Sequence, residues 1–131
     1  MYLVLVQGMC GSCWAFAASG AMASYAKIGD RDHDLLELSP QHLTSCAPNP
    51  LHCGGTGGCR GSIPQLAYNY VQLFGLASDH DYPYWSGVTG ITGNCKGAQY
   101  NMDDRLFPYF ALKCLPVDKV NAMHRPRQVR H

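Results

Sequence analysis

Small apolar residues crowd the stretch from Ser12 to Lys27, where Trp14, Ala18, Ala21, Met22 and Tyr25 recur at helical spacing without an intervening proline. The pattern predicts a buried helix over residues 12–27, stopped by Gly29. A shorter helix is expected over 40–46, with Ser39 as N-cap and Pro40 in the first turn. A third is expected over 63–74, closed by Gly75, with Ser62 as its cap and Gln65 completing a capping box. The aromatic run over 107–115 predicts a strand. Residues 1–6 read as a buried strand or a truncated start, too short for a signal core or a membrane span. The charged stretch 30–34 is expected as a solvated loop, and no role falls to His33.

Composition narrows this picture. With 131 residues, 47% of them hydrophobic and 15% charged, the chain can bury one core, so a single domain is expected. Net charge is +1. A field that weak gives no reason to expect nucleic acid or a membrane surface as partner. The seven cysteines point to an oxidising compartment, and their odd number leaves one thiol unpaired.

Cys13 is the thiol whose setting suggests chemistry. It stands where the first predicted helix begins, among unpaired backbone N–H groups at the positive end of the helix dipole, a position that favours thiolate. The dipole alone is insufficient, since a thiol of pKa about 8.5 is only about 3% ionised at pH 7. A histidine base must supply the rest. Gln7 lies upstream with an amide suited to holding an oxyanion. Other readings of Cys10 and Cys13 are a thioredoxin-type pair and a zinc site drawing on His52, Cys53 and Cys59. The tryptophan follows the pair rather than preceding it, and no second Cys-x-x-Cys or His-x-x-x-His completes a metal set. No metal or other cofactor is expected.

The decapeptide Gln-Gly-Met-Cys-Gly-Ser-Cys-Trp-Ala-Phe at 7–16 resembles the active-site segment of the papain and cathepsin L family of cysteine proteases, and contains that family's own Cys-Gly-Ser-Cys-Trp signature. Further blocks resemble the family in the same order: Leu38 to Cys46, Cys59-Arg60-Gly61-Ser62 with the helix after it, Asp81-Tyr82-Pro83-Tyr84, and Asn94-Cys95-Lys96. The resemblance implies an α+β but mainly α fold, the incomplete, disulfide-stapled left (helical) domain of a two-domain enzyme, over 1–116, followed by a divergent or truncated tail over 117–131. It implies an endopeptidase in which Cys13 and Gln7 are catalytic and Gly11, Ser12, Trp14, Gly61, Ser62, Ile63 and Pro64 meet the substrate. It also implies disulfides Cys10 to Cys59 and Cys46 to Cys95. Cys53 and Cys114 have no counterpart, and both pairing with each other and remaining free stay open. The run from Cys53 to Ser62 offers two registers; the one using Cys59 lets the third helix follow without a gap.

The partners implied are peptide or protein substrates and a β-rich right domain, and the compartment is a lysosome, a vacuole or the exterior. The family's spacing places its histidine and asparagine about 130 to 150 residues beyond the nucleophile. They are expected outside these residues, so the chain is expected to be inactive alone. His124 and His131 lie in a basic stretch that matches nothing in the family. The rival expectations are a non-catalytic, disulfide-stapled secreted module that binds peptides, and a redox protein cycling Cys10 with Cys13.

Overall fold

The computed structural model describes residues 7–29 and 37–96. The strands expected over 1–6 and 107–115, the loop 30–34, Cys114 and the tail 117–131 lie outside the described residues. Among the described residues there are four helices: α1 (Cys13–Gly29), α2 (Pro40–Cys46), α3 (Pro64–Phe74) and the single turn α4 (Ser86–Thr89). Extended pairing among them is confined to isolated bridges, Gly11 with Arg60 and Leu38 with Ser78. No described helix is long and apolar enough to cross a membrane.

The core forms where α1 packs against α2 and α3. Ala15 and Ala18 of α1 are fully buried beside Trp14, Leu43, Leu66, Ala67 and Tyr70. Methyl-sized side chains on α1 let the neighbouring helices approach, while Leu43, Leu66 and Tyr70 supply the volume that fills the gap. The buried face of α1 differs from the expected one. Trp14, Ala15, Ala18, Ser19 and Ala23 are buried, whereas Tyr25 is 78% and Ile28 71% exposed. The reason is length: α1 has 17 residues against 7 in α2 and 11 in α3, so its last turns outrun both among the described residues.

The helix ends show which local signals prevailed. Ser39 caps α2, its Oγ accepting from the His42 backbone N–H at 3.0 Å with Pro40 next in the chain. The expected capping box of α3 does not form. Its N-cap is Ile63 without a side-chain cap bond, and Ser62 Oγ is buried without a hydrogen-bond partner. Pro64, the first residue of the helix, has no N–H to satisfy and a φ already fixed for a helix, which makes that start tolerable.

Gln41 joins α2 to the 85–92 segment. Its fully buried side chain accepts from the N–H groups of Trp85 and Ser86, both at 3.0 Å, and donates to Ser86 Oγ at 2.8 Å and Ser45 Oγ at 2.9 Å. Two disulfides brace this framework, Cys10 with Cys59 and Cys46 with Cys95. Cys53 is also disulfide-bonded.

His42 makes the fold sensitive to pH. It is 9% exposed, stacks on Tyr82 and meets the edge of Tyr70. Nδ1 accepts from the Ala77 N–H at 3.0 Å, which fixes the neutral tautomer that donates from Nε2 to Tyr70 Oη at 3.1 Å. Burial lowers its pKa below the ordinary 6.5. The unfolded chain therefore binds this proton more readily than the native one. The stability His42 contributes is complete above 6.5 and is lost as pH falls from there through the depressed native value. Asp79 acts in the opposite sense: burial, and then Glu37, raise its pKa above 3.8, so its native-state penalty is relieved on acidification. The melting temperature is expected to drop less between about pH 7.5 and about pH 5 in His42→Gln than in the parent. An equal drop in both chains would show that His42 is not the responsible group.

Candidate functional site

The described site is assembled from segments 7–16, 49–64 and 84–92. Cys13 opens α1, exposed and carrying a free thiol. On either side of it, the chain is held against the glycine-rich loop in three ways. Cys10 is bonded to Cys59, the Gly11 N–H donates to the Cys59 carbonyl at 2.8 Å, and Trp14 Nε1 donates to the Gly58 carbonyl at 3.1 Å. A Cβ on Gly11 would meet the Cys59 oxygen at 2.6 Å, so only glycine permits this approach. The Cys10–Cys59 pairing does not fit the redox alternative, which needs Cys10 bonded to Cys13.

Gln7 is oriented from both ends. Its Nε2 donates to the Cys10 carbonyl at 2.7 Å, which commits one amide hydrogen and leaves the second without a partner among the described residues. Its backbone carbonyl accepts from Tyr84 Oη at 2.6 Å. Gln7 and Cys13 thus lie at the two ends of one short hydrogen-bonded segment that leads into α1.

Asn49 organises the glycine-rich loop. Its Oδ1 accepts from the Cys53 N–H at 2.8 Å, and its Nδ2 donates to the carbonyls of Cys53 at 2.9 Å and Gly55 at 3.0 Å. Thr92 Oγ1 accepts from the Cys59 N–H at 3.0 Å on the loop's other side. Gly61 takes the left-handed conformation, at φ 100°, and its carbonyl is occupied by the Gly57 N–H at 2.7 Å. Ser62 has no positive φ, so a side chain there adds no backbone strain. Its N–H and C=O make no backbone hydrogen bond among the described residues. The open peptide edge is therefore that of Ser62, followed by Ile63 and Pro64, both partly exposed at the start of α3.

Two of the expected substrate contacts carry buried side chains. Ser12 is fully buried and Trp14 is 2% exposed, so both side chains are packed within the fold. Ser12 Oγ hydrogen-bonds Tyr84 Oη at 2.8 Å. Asn49 and Tyr84 went unassigned in the sequence. The Asn49-Pro50 turn and the Asp-Tyr-Pro-Tyr block were the available signals, but neither says which distant backbone it will hold.

Residues 2–119 match the profile of the papain family cysteine proteases. Among similar proteins, the cathepsin L-like proteinase of Fasciola hepatica is 37% identical over 90 residues, which are 69% of this chain and 24% of that protein. Procathepsin L of Mus musculus is 39% identical over 93 residues, again 69% of this chain and 24% of that protein. The chain thus spans about a quarter of the length of these relatives. Similar solved structures include digestive procathepsin L 3 of the Tenebrio molitor larval midgut, at TM-score 0.60 and 30% identity over 73% of this chain and 28% of that one. A cysteine protease of Carica candamarcensis in complex with E-64 is similar at TM-score 0.59 and 34% identity, over 74% of this chain and 40% of that one.

Proposed function

We propose that this chain, which belongs to the papain family of cysteine proteases, is the nucleophile-bearing helical part of a cysteine endopeptidase. In the proposed reaction the Cys13 thiolate attacks a peptide carbonyl, and the oxyanion is held by the Gln7 amide and the Cys13 backbone N–H. A histidine on a β-rich second domain protonates the leaving amine, and water then releases the acyl group. The substrate strand is read as pairing with the open backbone of Ser62, beside Ile63 and Pro64, as a short β-augmentation. We assign the intact protein to a lysosome, a vacuole or the exterior, consistent with its disulfides.

The observation that carries this reading is the pairing of a free, exposed Cys13 at the start of α1 with a Gln7 amide tied down by the Cys10 carbonyl. No described histidine bonds the thiol. His42 is committed to Tyr70 and Ala77, and His80 lies beside Asp81. The 131-residue chain alone is therefore expected to hydrolyse no peptide and to resist rapid stoichiometric labelling by an epoxysuccinyl peptide. Such labelling, seen by intact mass, would contradict the need for a second domain.

The chemistry of the thiol can still be read without a histidine. A p-nitrophenyl ester acylates a thiolate through an oxyanion and loses nitrophenolate unaided, whereas iodoacetamide alkylates the same thiolate with no oxyanion. The ratio of the two rates reports oxyanion stabilisation, because thiolate ionisation cancels. Gln7→Ala is expected to lower that ratio about tenfold. An unchanged ratio would remove Gln7 from the mechanism.

A further inference from the structure

Tyr84 touches both parts of the candidate site. Its Oη donates to the Gln7 carbonyl at 2.6 Å and lies 2.8 Å from Ser12 Oγ. A phenol has one proton, and here it is on the Gln7 bond, so Ser12 must be the donor of the second bond. The result is a directional chain from Ser12 hydroxyl to Tyr84 hydroxyl to Gln7 carbonyl, in which each bond polarises the next. The Tyr84 ring meets the edge of Phe16, a residue of α1, with centroids 4.8 Å apart and planes at 84°. Gly87 closes the same clamp: its carbonyl accepts from the Met9 N–H at 2.9 Å, and a Cβ on it would meet the Gln7 oxygen at 2.8 Å.

We infer that Tyr84 is a positioning residue, whose hydroxyl registers the Gln7 oxyanion donor against the helix that carries Cys13. The inference rests on the proposed function for the role of Gln7, and on the two hydrogen bonds and the ring contact for the role of Tyr84. The ring is held by α1 through Phe16, and the hydroxyl is the point at which that position passes to the Gln7 turn. Without the hydroxyl, Gln7 keeps its amide bond to Cys10 but loses the bond from its backbone to a part of the chain outside its own turn.

Tyr84→Phe separates these roles, since it keeps the ring and removes both hydrogen bonds. The test uses acylation of Cys13 by p-nitrophenyl acetate against alkylation by iodoacetamide. In the acylation the sulfur–carbon bond forms, the aryl ester bond breaks, nitrophenolate leaves with the electron pair, and the thiol proton has gone to solvent. Tyr84→Phe is expected to reduce acylation several-fold while alkylation stays within about twofold, and to have no effect on either in a Gln7→Ala background. Ser12→Ala, which removes only the donor to Tyr84, is expected to give a smaller drop and serves if Tyr84→Phe does not fold. Equal loss of both rates, or the same acylation loss with and without Gln7, overturns the assignment. A ratio lowered by Gln7→Ala but untouched by Tyr84→Phe and Ser12→Ala overturns the Tyr84 role alone. A ratio indifferent to Gln7→Ala overturns the parent reading and this one together.

Discussion

Gly55→Ala is expected to cost about 3 kcal/mol of stability, a large share of what holds a chain of this size folded. Two effects add. Gly55 sits at φ 144°, where L residues are strained by about 1 to 3 kcal/mol. A Cβ there would also press on the Arg60 carbonyl oxygen and lie 2.8 Å from the Gly61 oxygen. Both obstacles are backbone, and neither can swing aside as a side-chain tip does. Asn49 fixes the loop from beneath through the Cys53 and Gly55 carbonyls, so relaxation would break buried hydrogen bonds as well. Gly75 isolates the conformational part: it lies at φ 76° and ψ -174° with nothing within 4 Å of its Cβ position, so Gly75→Ala is expected to cost only the backbone strain, about 1 to 3 kcal/mol. Gly29→Ala, with open space and no positive φ, is expected to stabilise α1 slightly. Denaturant midpoints measured with disulfides intact rank the three. If Gly55→Ala costs no more than Gly75→Ala, the loop yields and the packing argument fails.

That series also shows what was legible in the sequence. α2 could be bounded almost to the residue because Ser39 and Pro40 act within one turn of themselves. The start of α3 was misassigned by the same kind of signal, because Ser62 belongs to the extended edge of the loop and its hydroxyl does not turn back to the helix. Tyr25 was expected on the buried face, since periodicity finds a stripe but cannot say how far the neighbouring helices reach along it. Cys13 and Gln7 were singled out as candidates because their chemistry is local to one decapeptide. Tyr84 was not, because the Gln7 carbonyl it serves is 77 residues away in sequence. Long-range hydrogen bonds to backbone have no partner side chain to recognise, and so leave no pattern.

Removing the Cys10–Cys59 bond as the Cys10→Ala, Cys59→Ala double variant is expected to cost about 4 kcal/mol by the chain-entropy relation. Cys46–Cys95 spans the same 49 residues, so the same relation assigns its double alanine variant the same loss. The two variants should differ in chemistry. Cys10 adjoins Gly11 in the turn that orients Gln7, and Cys59 lies in the loop that reaches Ser62. With the sulfur link gone, the Gly11-to-Cys59 and Trp14-to-Gly58 hydrogen bonds and the Gly11–Arg60 bridge are what is left between those segments among the described residues. The Cys10 carbonyl, to which the Gln7 amide is tied, then becomes mobile. The acylation-to-alkylation ratio at Cys13 is therefore expected to fall in the first variant and to stay unchanged in the second, although their midpoints fall alike. Using both alanines avoids leaving a thiol at position 10 that could pair with Cys13 and mask the reaction. Equal ratios in the two variants would mean that the hydrogen bonds suffice to hold the site, and that the disulfide beside the nucleophile stabilises the chain without shaping its chemistry.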